Sequence, residues 1–125
     1  MAFENDKEAG AIRNVSNLTS QEKDLILAFI QGAVYSWCKN RKNEWFSMRD
    51  LMGGDNYFWQ GTAMIRLYKK HDPEKNGNDY AISEAGKESG WLLKQVINID
   101  KRQFKTKKSE LIRKYLWTGS ENNEV

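Results

Sequence analysis

The sequence predicts an α+β fold that is mostly α with a small β element, and three features carry that prediction. Leu25, Ile26, Phe29, Ile30, Ala33, Val34 and Trp37 recur at the helical period, a broad apolar stripe that follows the capping-box pattern Thr19-Ser20-Gln21-Glu22. Two further stripes, Leu92, Leu93, Val96, Ile97 and then Phe104, Leu111, Ile112, Tyr115, Leu116, repeat that spacing toward the C-terminus. Only Tyr80-Ala81-Ile82, just after a turn-rich run, alternates like a strand. A chain of 125 residues has material for one core.

Residues 1–18 are polar with scattered apolar positions, and are expected to form a flexible N-terminal arm. The first helix starts at the capping box and is expected to fail by Lys39-Asn40-Arg41-Lys42-Asn43, whose cations complement the negative end of its dipole. Trp45-Phe46 is a short extended pair. Ser47 then caps a short helix running from Met48 to about Met52, which stops at Gly53-Gly54 because glycine accepts the left-handed conformation. Asp55 offers a further cap for a helix from about Asn56 to His71, in which Gly61 marks a later start nearer Thr62.

Asp72 to Asn78 contains the only proline and reads as a turn. After the Tyr80–Ile82 strand, Ser83 caps another helix, with a break expected at Asn98-Ile99-Asp100. Residues 99–118 then form a basic C-terminal helix, and 119–125 a frayed tail.

Composition excludes several classes of function. No stretch approaches the ~20 apolar residues of a membrane span, and Met1 to Asp6 lacks the pattern of a signal peptide, so a cytoplasmic protein is expected. Cys38 has no partner for an internal disulfide and lies on an apolar-periodic segment, as a small buried hydrophobe would. His71 is the single histidine, and at a helix end it is expected to cap or pack. No Walker or Gly-x-Gly-x-x-Gly pattern occurs, and one His with one Cys is too few for zinc. No enzyme activity, cofactor or metal is expected.

Charge is informative by its distribution. Twenty basic and 17 acidic side chains leave a net charge of only +3, but Lys94 to Trp117 holds 8 basic against 2 acidic ones, net +6. A second cluster, Lys39, Arg41, Lys42, Arg49, Arg66, Lys69 and Lys70, faces three acids. Clustered cations suit a polyanion, whose phosphates release condensed counterions when neutralised. The same clusters also suit solvated helix faces.

The segment Tyr80-Ala81-Ile82-Ser83-Glu84-Ala85-Gly86-Lys87 resembles the Tyr-x-Leu-Thr-x-x-Gly step that leads from the last wing strand into a helix in MarR-, PadR- and ArsR-like regulators. Gly61 to Lys70 looks like the recognition helix of that winged helix-turn-helix superfamily, and Trp45 to Leu51 like its first strand and second helix. The resemblance covers about residues 19–98 and implies a winged-helix domain with an extra C-terminal helix. His71 to Asn78 leaves little room for a second strand, so the wing is expected to be short.

That resemblance implies a double-stranded DNA-binding protein, a small transcriptional regulator. On a helical wheel Tyr57, Gln60, Met64, Leu67, Tyr68 and His71 take one side, and Phe58, Trp59, Thr62, Ile65, Arg66 and Lys69 the other. Arg66 could then reach guanine, Thr62 a thymine methyl or phosphate, and Lys69 and Lys70 the backbone, with Arg49 and Lys75 as further contacts. Phe58, Trp59 and Ile65 on that side either touch DNA, anchor a protein partner, or are buried by a different helix phase. The alternative function is accordingly a winged-helix protein-interaction module. The C-terminal stripe either forms a homodimer interface or packs on the chain's own first helix.

Overall fold

The computed structural model describes residues 12–54, 59–109 and 112–121. Helix α1 spans Ser20–Asn40, and its capping box is complete. The Thr19 N–H donates to Glu22 Oε1 at 2.9 Å, and the Glu22 N–H donates to Thr19 Oγ1 at 3.0 Å. Ile26, Ile30, Val34 and Cys38 form its buried seam. The seam is narrower than the sequence stripe, since Leu25 is 56% exposed.

Phe46 follows in an isolated antiparallel bridge to Tyr115, with backbone hydrogen bonds of 2.9 and 2.8 Å in the two directions. Ser47 caps helix α2, Met48–Leu51, as its sequence predicts, and Asp50 returns a bond to the Ser47 N–H at 2.9 Å. Gly53 then takes the left-handed conformation (φ 91°) at the expected stop.

Of the helix expected from Asn56 to His71, the described residues form only a short part. Asp55, Asn56, Tyr57 and Phe58 lie outside the described residues; 60–64 turn, and helix α3 covers only Ile65–Lys69. Thr62 competes locally with the helix: its hydroxyl donates to the Trp59 carbonyl at 2.8 Å and accepts from the Met64 N–H at 3.1 Å. A single turn, α4, covers Pro73–Asn76.

Helix α5 runs unbroken over Asn78–Ile99, so Tyr80–Ile82 is helical and not a strand. Its buried face takes Ala81, Ala85, Glu88, Ser89, Leu92, Leu93, Val96 and Ile97. That spacing wins because a three-residue alternation has no neighbouring strand to pair with. Tyr80 is 51% exposed and does not enter the core. The helix does end at the expected break.

The basic segment is a β-hairpin, not a helix. Strands β1 (Arg102–Ser109) and β2 (Ile112–Glu121) pair antiparallel, with Phe104 opposite Trp117, Thr106 opposite Tyr115 and Lys108 opposite Arg113. Arg102, Phe104 and Thr106 are buried while Lys105 and Lys107 are exposed, the period-two pattern of a half-buried strand. Residues 119–121, expected as tail, belong to β2. The dimer interface proposed for a C-terminal helix therefore has no helix to carry it, and Phe104 and Tyr115 fill the chain's own core.

That core is one cluster. Phe46, Phe104 and Tyr115 are each at most 1% exposed; Phe104 meets Phe46 edge-to-face at a centroid distance of 6.4 Å, and Tyr115 lies tilted against it at 6.0 Å. They meet Ile26, Ile30 and Val34 of α1 and Leu92, Leu93 and Val96 of α5. The start of β1 is tied to α1 by polar contacts: Arg102 donates to both Asp100 carboxylate oxygens at 3.0 and 2.8 Å, and Gln31 Nε2 donates to Asp100 at 2.9 Å. Residues 12–18, expected to be loose, are also tied down, since Val15 is buried in the core.

Candidate nucleic-acid interface

The residues nominated by the sequence do not assemble into one surface. Arg66 donates from Nε to the Glu22 carboxylate on α1, which anchors α3 to that helix. The Lys70 side chain is 5% exposed; its Nζ lies 2.5 Å from Glu88 Oε2 and donates to the Ser16 carbonyl at 2.5 Å. It is a buried structural cation and not a backbone contact. Thr62 is committed to its turn. Arg49, Lys69 and Lys75 are exposed, on α2, α3 and α4 respectively. Trp59, 6% exposed, is buried outside any helix, and Ile65, at the start of α3, is half-buried against the core; Phe58 lies outside the described residues.

His71 packs as expected, with Nε2 at 2.6 Å from Glu88 Oε1. Cys38 is buried, and burial pushes its thiol pKa up, away from nucleophilic use. Among the described residues no group of three or more His, Cys, Asp or Glu side chains is placed to hold a metal ion. No helix there is long and apolar enough to cross a membrane.

The hairpin and the outer face of α5 do bring cations together. Opposite its buried residues, α5 presents exposed Ser83, Gly86 and Lys87, then half-buried Trp91 and Lys94. Lys87 pairs with Glu84 at 2.9 Å, an exposed bond that competes weakly with a stronger anion.

On the hairpin the register sets Lys107 opposite Lys114 and Lys108 opposite Arg113. Like charges directly across a ladder repel, so folding alone gains nothing from this arrangement. Lys107 lies over the Trp45 ring at 4.1 Å, and Arg113 Nη1 donates to Thr106 Oγ1 at 2.9 Å. The pair Lys108–Arg113 continues the core-facing side of the hairpin beyond Thr106 and Tyr115. Lys94 of α5 lies within electrostatic reach of both. Burial, and then the positive charges of Arg113, Arg13 and Lys108, hold the Lys94 ammonium pKa below the usual lysine value.

Sequence reasoning passed over Arg13, Lys87, Lys94, Lys108 and Arg113 as individual contacts. The usable signal was the net +6 of Lys94 to Trp117, together with alternation in Phe104-Lys105-Thr106-Lys107. No protein-family model, curated protein or solved structure matches this chain, so its site rests on its own residues.

Proposed function

We propose that this chain binds double-stranded DNA, as a small transcriptional regulator would, through α5 and the basic hairpin in a winged-helix arrangement. In that arrangement α1, the Phe46 bridge, α2, α5 and the two strands take the winged-helix order, with α3 and α4 inserted between α2 and α5, α5 as recognition helix and the hairpin as wing. The assignment moves both parts from where sequence resemblance put them. The observation that carries the reading is the two successive like-charged cross-strand pairs, Lys107–Lys114 on one face of the hairpin and Lys108–Arg113, within electrostatic reach of Lys94, on the other. A polyanion turns this mutual repulsion into binding energy.

Exposed Ser83 and Lys87 near the start of α5 are the side chains for base edges, and the hairpin lysines serve the phosphates. The interaction-module alternative loses its anchor with Trp59 in the core.

The test is affinity for a labelled random-sequence duplex as salt is raised. If about five phosphates are neutralised, the logarithmic salt slope is about −4.5, and affinity falls about 500-fold between about 50 and 200 mM salt. Reversing Lys107 and Lys114 to Glu together should abolish retention, with the fold intact by circular dichroism. No binding of wild type at low salt would refute the reading.

A further inference from the structure

We propose that Arg13 joins Lys94, Lys108 and Arg113 in a single phosphate cradle, so that the segment preceding α1 forms a third wall of the nucleic-acid interface and grips one backbone phosphate. The proposal rests on the duplex-binding reading and adds a site that neither the helix nor the hairpin makes alone.

Arg13 is far from α5 in sequence and is held beside the Lys94 turn of that helix by specific contacts. Gln95 Nε2 on α5 donates to the Arg13 carbonyl at 2.7 Å. The Arg13 guanidinium lies 5.3 Å from the centroid of the Trp91 ring, one helical turn before Gln95. Val15, two residues on, is buried in the core, and Lys70 holds the Ser16 carbonyl, so the segment is fixed immediately after the arginine. Stacking on an aromatic face fixes the guanidinium plane and leaves its N–H edge available to a planar or tetrahedral oxyanion. Lys94 lies between Trp91 and Gln95 in sequence, on α5.

The opposite wall is equally ordered. Thr106 Oγ1, which itself donates to the Lys114 carbonyl at 3.1 Å, receives one Arg113 N–H and orients that guanidinium, and Lys108 stands across the ladder from it. Arg13, Lys108 and Arg113 each lie within electrostatic reach of Lys94, beside which Gln95 and Trp91 hold Arg13. A phosphodiester supplies a single charge with two free oxygens, which suits a lysine between two oriented guanidiniums.

The experiment measures duplex affinity against salt for wild type, Arg13→Ala, Arg13→Lys, Gln95→Leu and Lys42→Ala. Lys42 is an exposed lysine beyond α1 and controls for the loss of one charge anywhere on the chain. The expected result is a loss of affinity of about threefold or more at fixed low salt in Arg13→Ala, with the slope shallower by less than about 0.9 because Lys94, Lys108 and Arg113 remain on the same phosphate. Arg13→Lys should keep the slope, and Gln95→Leu, which changes no charge, should weaken binding about threefold or more by releasing the arginine. Lys42→Ala should leave the slope of wild type. If wild type binds but Arg13→Ala behaves like Lys42→Ala, the cradle is overturned and the duplex reading stands. If wild type fails to bind, both fall.

Discussion

Replacing Glu88 should cost more stability than any surface change to this chain. Its carboxylate sits on the buried face of α5, 2.5 Å from Lys70 Nζ and 2.6 Å from His71 Nε2, with the Glu88 and Lys70 side chains 9% and 5% exposed. Glu88→Gln keeps the shape and one hydrogen-bonding oxygen but removes the charge, leaving the Lys70 ammonium inside the protein with the neutral Ser16 carbonyl. Breaking a buried pair in this way costs about 3–5 kcal/mol. Against a typical domain stability of about 5–15 kcal/mol, that is a third or more of the total.

For a chain of this length the cost corresponds to a fall in Tm of roughly 10–20 °C. Lys70→Met added to Glu88→Gln removes the stranded charge. The double variant should therefore lose less than the two single variants summed, with a coupling of about 1.5–3 kcal/mol in a double-mutant cycle. Urea unfolding followed by tryptophan fluorescence measures all four proteins. A cost below about 1 kcal/mol for Glu88→Gln, or additive singles, would refute a desolvated ion pair at this position.

Other substitutions test other joints of the fold. Phe46→Ala empties the centre of the aromatic cluster, where Phe46 is 0% exposed, and should cost about 3–5 kcal/mol in the same urea titration. Asp100 carries a pH dependence: burial alone would raise its carboxyl, but hydrogen bonds from Arg102 and Gln31 prevail and hold it below the ordinary 3.8. Its contribution is therefore present above the unfolded carboxylate value and lost as pH falls through the lower folded one, so below about pH 4 wild type should lose Tm more steeply than Asp100→Asn. Gly119 has a φ of 86° where the ladder register slips between Arg102 and Phe104. Gly119→Ala should lower stability by about 1 kcal/mol or more, read as a drop in Tm of a few degrees.

Elements specified by neighbouring residues were legible before any coordinates. The Thr19–Glu22 and Ser47–Asp50 caps, the seam of α1, the stop at Gly53 and the end of α5 near Asp100 all depend on contacts within a few positions. The basic segment was legible as a charge feature and misread as a helix. Lys and Arg give no preference between helix and strand strong enough to overrule a partial stripe, and Phe104, Ile112, Tyr115 and Leu116 fit both spacings. What decides for strand is a partner far away in sequence: Tyr115 exchanges two backbone hydrogen bonds with Phe46.

The same division separates the candidate site from its sequence forecast. By itself the sequence determined that cations concentrate in Lys94 to Trp117, that one core serves the chain, where α1 and α2 begin and end, and where α5 stops. Only the tertiary structure decided which cations face outward. Lys70 and Arg66 look like neighbours of Lys69 on a recognition helix, yet one is buried against Glu88 and the other tied to Glu22. Arg13, in a segment without periodicity, is carried to the Lys94 turn of α5 by its contacts with Gln95 and Trp91. Charge is a property of each residue, whereas its direction and its neighbours are set by long-range packing that local spacing does not encode.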